Sequence, residues 1–213
     1  MKKTKSILEY WQDYIKNADP LIKDWLEKEN LYLKKNIKKG SIVLDVGCGF
    51  GRNIKAISTI AKKIVGTDND KNLFEKIRKK LSKFKNVEVF LEDAKKMHFP
   101  NNMFDYTICM GNTFGNFGKD KVKILKEMQR VTKKGGKIII SVYSENALNI
   151  RIKEYKRIGI KIKKIQNGTV YSENGLILEQ FNKEKLKRLF DLAGLKFKIL
   201  ELNSISYLCE LQK

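Results

Sequence analysis

Three features of the sequence predict an α/β protein with a doubly wound, mainly parallel seven-stranded sheet whose last strand is antiparallel. Short β-branched runs alternate with amphipathic helical stretches from residue 41 to 143. The runs are almost continuously apolar, as strands covered by helices on both faces must be. A glycine-rich turn, VLDVGCGFGRN at 43–53, joins the first run to a helix, and the chain ends on two runs separated by only two residues. So tight a connection makes the final pair antiparallel.

Taken in order, Ile7, Leu8, Trp11, Tyr14, Ile15 and Ala18 recur at helical spacing. Asp19-Pro20 then reads as an N-cap followed by proline at the first helical position, opening a second helix to about residue 37. Strands are predicted at SIVLDV (41–46), KIVGTD (63–68), NVEVFLE (86–92), FDYTICM (104–110) and GGKIIISVY (135–143), with helices at about 51–61, 71–83 and 119–133. A helical stretch at 145–157 leads into 160–181, where Asn167-Gly168 and Asn174-Gly175 mark turns of a small antiparallel insert. The helix at 183–195 ends at Gly194, and strands at 196–202 and 205–211 close the chain. One domain is expected: residues 1–39 as a helical lid, 40–143 as the core, 144–181 as a substrate-side insert and 182–213 as the C-terminal helix and strand pair.

The chain has 213 residues, of which 42% are hydrophobic and 10% aromatic, enough to build a core despite a net charge of +21. That charge invites a nucleic-acid reading, but the basic residues are nearly all lysine. Arginine occurs only at 52, 78, 130, 151, 157 and 188, and the bidentate guanidinium is the better reader of phosphate and bases. A solvated lysine surface is the simpler reading. Cys48, Cys109 and Cys209 are widely spaced and lie in or beside apolar runs, which fits reduced thiols in a cytoplasmic protein. His98 is the only histidine and no CxxC pair exists, so no protein-built metal site is expected. The N-terminus lacks an apolar leader core, and no run reaches transmembrane length, so no membrane association is expected.

A strand, a glycine turn and a helix together present bare backbone to a ligand. Here the spacing is Asp45-x-Gly47-x-Gly49-x-Gly51, with Cys48 inside the loop. In dinucleotide sites the pattern is GxGxxG around a pyrophosphate; here the third glycine comes one residue early and an acid precedes the first. A carboxylate at this mouth disfavours phosphate and favours a cationic amino group. Asp68 ends the second strand, where an acid can accept from both ribose hydroxyls, and the third strand ends in Leu91-Glu92-Asp93-Ala94. Carboxylates at three consecutive strand ends describe a nucleoside with an amino group and no phosphates, which is S-adenosylmethionine (SAM). Each feature alone also reads as a tight turn or a helix N-cap.

Across about 41–143 the chain resembles the class I, Rossmann-like SAM-dependent methyltransferases. VLDVGCGFGRN matches that family's first motif, and DAKKMHFPNNMFD (93–105) resembles its linker between third and fourth strands, of the form DaxxlPFxdxxFD. The resemblance implies that Asp45 and the backbone of Gly47, Cys48, Gly49 and Gly51 hold the methionyl portion of the cofactor. It implies that Asp68 binds the ribose, Asn69 lies beside the adenine, and Asp93 and Ala94 read the adenine edge. Met110 and Gly111 would face the sulfonium and amino group.

For the acceptor, MGNTFGNF (110–117) follows the fourth strand and is similar to the GNSF-type segment of glycine-type and related small-molecule N-methyltransferases. Asn112, Phe114 and Asn116 are its candidate substrate contacts, alongside Tyr10, Trp11 and Tyr14 of the lid and Tyr143, Tyr171 and Glu173 of the insert side. The alternatives are turn asparagines and core aromatics. His98 occupies the linker position usually held by proline and reads as a solvated loop residue. The expected activity is methyl transfer to a nitrogen or oxygen of a small molecule. Methylation of an RNA base is the alternative, from the charge and the basic 151–164 stretch, though an NPPY-type motif is lacking. A non-catalytic SAM-binding partner subunit is the third reading. Arg52 and Asn53 could contact the cofactor or merely begin the helix.

Overall fold

The computed structural model describes residues 7–213. Two helices come first, α1 (Ile7–Lys16) and α2 (Pro20–Asn36). The expected cap is in place: the Asp19 carboxylate accepts from Leu21 N–H at 3.0 Å and Pro20 begins α2. The alternating segment forms β1 (Ile42–Val46), α3 (Arg52–Ile57), β2 (Lys63–Asp68), α4 (Lys71–Leu81), β3 (Val87–Leu91), β4 (Phe104–Cys109), α5 (Lys121–Val131) and β5 (Thr132–Tyr143). Then follow α6 (Leu148–Ile158), the short strands β6 (Ile162–Gln166), β7 (Thr169–Ser172) and β8 (Ile177–Leu178), α7 (Lys183–Ala193), β9 (Lys196–Asn203) and β10 (Ser206–Gln212).

The seven-stranded sheet has the order β3-β2-β1-β4-β5-β10-β9, and β10 runs antiparallel to both neighbours. β6, β7 and β8 make the separate antiparallel insert. Along β1 the side chains alternate between two cores. Leu44 and Val46 join the core formed with α5 and α7, while Val43 joins the core formed with α2, α3 and α4. Asp45 therefore shares the face of Val43, beneath α2 and α3. The order reverses between β2-β1 and β4, and at such a switch point the strand C-termini open a crevice. Most boundaries shift by one to three residues, and two of the differences have a clear cause. Helix α3 stops at Ile57 because Ile60 and Lys62 turn back to pair with Gly40 and Ser41. Strand β5 begins at Thr132, whose hydroxyl bonds that of Thr107 at 2.7 Å, and a register shift absorbs Gly135-Gly136.

Candidate active site

One cavity of about 500 Å³ occupies the crevice. Its floor is the glycine loop, its acidic edge is Asp68, Asn69, Asp93 and Ala94, and Met110, Gly111 and Thr113 form the wall at the end of β4. Its far end is aromatic, built from Trp11, Tyr14, Trp25, Tyr143 and Tyr155.

The loop's shape depends on glycine at two points. Gly47 has φ +68°, and a Cβ there would stand 2.2 Å from Thr113 Cγ2. Gly49 has φ +49°, and a Cβ there would meet nothing within 4 Å, so its bare face opens on the cavity. Thr113 closes the loop from above: its hydroxyl donates to Met110 O at 2.9 Å and reaches Gly47 O at 3.4 Å. Asp68 braces it from the side, accepting from Gly49 N–H at 3.0 Å and from Asp70 N–H at 3.1 Å. Burial holds the Asp68 carboxyl above the usual range, against the pull of those bonds.

Asp45 is fully buried, and neither of its oxygens has a hydrogen-bond partner among the described residues. Desolvation raises its pKa from 3.8 to about 7, opposed first by the charge of Arg52 and then by the neighbouring Asn53 amide, which lies close by but outside hydrogen-bonding geometry. Asn53, which lines the cavity, has a buried Oδ1 that is also unpartnered. Three acceptor atoms without donors lie beneath the loop, an arrangement that a donor-only cation satisfies. Asp45 and Gly51 are not on the cavity wall itself: Gly51 is the left-handed N-cap of α3, at φ +69°, and Asp45 lies one layer below.

Arg52 begins α3 and also lines the cavity. The guanidinium reaches back to α2, donating to Leu26 O and Asn30 Oδ1 at 3.0 Å each and pairing with Glu29. Glu29 is itself completely buried; it accepts from Gly111 N–H at 3.0 Å and from the Ser141 hydroxyl. α2 is thus clamped across the ends of β4 and β5. No sequence signal marks Glu29, one of three acids on a lysine-rich helix.

The acceptor-side expectations divide. Tyr14, Tyr143 and Asn116 line the cavity, and the Tyr14 and Tyr143 hydroxyls share a hydrogen bond. Asn112 also lines it, but its amide is committed: Oδ1 accepts from Tyr143 N–H at 3.0 Å and Nδ2 donates to Glu179 O at 3.1 Å. It positions the loop rather than a ligand. Phe114 is a correction, being fully buried between Phe117 and Phe181, because the 3-10 turn at 113–116 rotates it into the core. Tyr10 is another; α1 packs on α6, which places the Tyr10 ring near Gly159 and off the cavity wall. Tyr171 and Glu173 face Lys164 and Lys161 and do not line this cavity. His98 is exposed, contacts Glu92 and stands outside the wall. The sequence reading misses Trp25, Thr113 and Tyr155; a signal for the last is Arg151, one helical turn before it.

The buried phenols of Tyr14, Tyr143 and Tyr155 are all pushed up in pKa by desolvation, and so is the Cys48 thiol. They stay protonated and act as hydrogen-bond donors rather than bases. Among the described residues, no helix is long and apolar enough to cross a membrane, and no group of three or more His, Cys, Asp or Glu is placed to hold a metal ion.

Comparison with known proteins agrees with this geometry. Residues 43–136 match the family model described as a methyltransferase domain. A demethylmenaquinone methyltransferase of Staphylococcus saprophyticus is 30% identical over 183 residues, spanning 81% of this chain and 76% of the relative. Among solved structures, a protein of Pyrococcus horikoshii OT3 aligns at TM-score 0.75 with 25% identity, covering 98% of this chain and 99% of that one. A SAM-dependent methyltransferase of Aquifex aeolicus aligns at TM-score 0.69 with 20% identity, covering 94% and 96%. The glycine loop at the topological switch point, the acidic strand ends and these matches together place the chain among the class I SAM-dependent methyltransferases, enzymes whose cofactor is S-adenosylmethionine.

Proposed function

We propose that the protein transfers the methyl group of SAM to a nitrogen or oxygen of a small-molecule acceptor bound in the aromatic half of the cavity. The observation that carries this reading is the continuity of one cavity from the Asp68–Asp93 edge to Trp11, Tyr14, Trp25 and Tyr155, roofed by α1 and α2. Such a roof suits an acceptor small enough to be enclosed, and the demethylmenaquinone named for the Staphylococcus relative is a small molecule.

The residues present fit the cofactor. In this reading the orphaned oxygens of Asp45 and Asn53 complement the methionyl ammonium from beneath the loop, and the backbone of Gly47, Cys48 and Gly49 carries the methionyl chain, with Gly51 turning the loop into α3 behind them. Asp68 takes the ribose, Asn69, Asp93 and Ala94 the adenine, and Met110 and Gly111 the sulfonium side. SAM supplies a methyl carbon on a positively charged sulfur that is a good leaving group in an in-line displacement. The chain contributes position and dryness: Thr113 and Asp68 fix the loop, the Glu29–Arg52 clamp fixes α2, and the aromatic walls exclude water. With the neighbouring phenols and the Cys48 thiol held protonated, the reading needs no side-chain base.

Incubating the protein with methyl-labelled SAM and a cell extract, then separating small molecules, RNA and protein, tests the proposal. Label in the small-molecule fraction supports it. Label confined to RNA or protein overturns it.

A further inference from the structure

The acceptor end of the cavity has an imbalance of hydrogen bonding opposite to that beneath the glycine loop. Tyr14 and Tyr143 share one bond between their hydroxyls, which uses one phenolic proton of two. The Tyr155 hydroxyl accepts from Nε and Nη2 of Arg151, at 3.0 and 2.8 Å, and its own proton has no acceptor among the described residues. The Trp25 indole Nε1 is buried with no partner. All four side chains line the cavity, so three donors at this end lack an acceptor, and buried donors are rarely left that way.

Behind them lies Arg151, on α6 and fully buried. Its guanidinium carbon is 4.7 Å from the centre of the Tyr143 ring and 5.5 Å from that of Tyr155. Its remaining hydrogen-bond partner is Gln180 Oε1, at 3.0 Å. Among the described residues no carboxylate pairs with it: Glu154, one turn further along α6, is held by Arg157 at 2.8 Å. A buried cation that no carboxylate pairs among the described residues is costly unless a ligand completes it, even with Glu154 near enough to act on Tyr14. The charge also reaches the wall, because it pulls the Tyr143 and Tyr155 phenols down against the larger effect of burial.

From this juxtaposition we infer that the aromatic end is a subsite for an anionic oxygen group, a carboxylate or an ionised hydroxyl, carried by a planar acceptor. An anionic oxygen offers only lone pairs, which is what Tyr155 O–H, Trp25 Nε1–H and the spare Tyr14 or Tyr143 proton require. The aromatic faces of Trp11, Trp25 and Tyr143 suit a flat body. Arg151 is a positioning residue here, acting through Tyr155 and Tyr143 and not on the ligand itself. The inference rests on the small-molecule methyltransferase reading and narrows its substrate class.

Calorimetry of the full chain, saturated with S-adenosylhomocysteine, tests it with two matched pairs of probes: benzoate against neutral benzamide, and para-nitrophenolate against neutral para-nitroanisole. At least one anion is expected to bind about tenfold or more tighter than its neutral partner. Preference for benzoate alone identifies a carboxylate, and preference for the phenolate alone an ionised hydroxyl. Tyr155→Phe and Arg151→Met should each erase the preference while S-adenosylhomocysteine affinity, the check on folding, stays within about twofold. Equal affinity for anion and neutral partner, or no binding of either anion at millimolar concentration, overturns the subsite. The wild-type ratio decides this without the variants. Failure of S-adenosylhomocysteine to bind strikes instead at the methyltransferase reading beneath it.

Discussion

Replacing Asp45 by asparagine removes a buried carboxylate that has no hydrogen-bond partner, and the consequence is calculable. Its pKa stands at about 7 against 3.8, because desolvation outweighs the nearby Arg52 charge. A raised acid binds its proton more tightly folded than unfolded, so the folded state loses stability as pH rises from about 4 to about 7. Three pH units at about 1.36 kcal/mol each make this a penalty on the order of 4 kcal/mol above pH 7. Asp45→Asn titrates nowhere in that window. In urea unfolding of the unliganded proteins, the variant should gain on the wild type by about 3 kcal/mol between pH 5 and pH 8. The cofactor should act in the opposite sense, since its ammonium favours the ionised carboxylate. Wild-type affinity for S-adenosylhomocysteine should therefore rise with pH through about 7, and that of Asp45→Asn should stay flat and weak. A stability gap that is the same at both ends of the range would refute the reasoning, as would wild-type affinity falling with pH.

Other outcomes follow from the same geometry. Asp68→Ala withdraws the acceptor that braces Gly49 N–H and should weaken SAM binding by about tenfold or more in calorimetry, with the fold retained by circular dichroism. Gly47→Ala drives a methyl group into Thr113 at a left-handed position and should lower stability by about 2–3 kcal/mol in urea unfolding. Glu29→Ala leaves Arg52 partly buried without its counter-ion and should cost about 3 kcal/mol, with α1–α2 becoming the first site of protease cleavage. His98→Ala should leave both stability and methyl transfer unchanged within about 0.5 kcal/mol, because the ring stands outside the cavity wall.

The parallel sheet is legible in the sequence because strands buried on both faces leave little freedom to their residues, and the insert because Asn-Gly pairs suit its turns. The cofactor half is legible for a related reason: a bare loop must be glycine, and acids at successive strand ends fall at fixed places along a regular fold. The acceptor half is less so. Phe114 and Tyr10 have the composition of a binding site, and only the rotation of one 3-10 turn and the docking of α1 on α6 turn them elsewhere. Glu29 becomes visible only when α2 lies across strand ends 82 residues away in the chain. Arg151 likewise looks like one more base in a basic stretch until Tyr143, Tyr155 and Gln180 surround it.

If the transferable methyl faces the aromatic chamber, nuclear Overhauser contacts from SAM carrying a carbon-13 methyl group and bound to the protein will report it. Contacts are expected from that methyl to ring protons of Tyr14 or Tyr143, weakened when an acceptor analogue is added between them. Contacts confined to protons at the Asp68–Asp93 edge, or none to any aromatic ring, would contradict it.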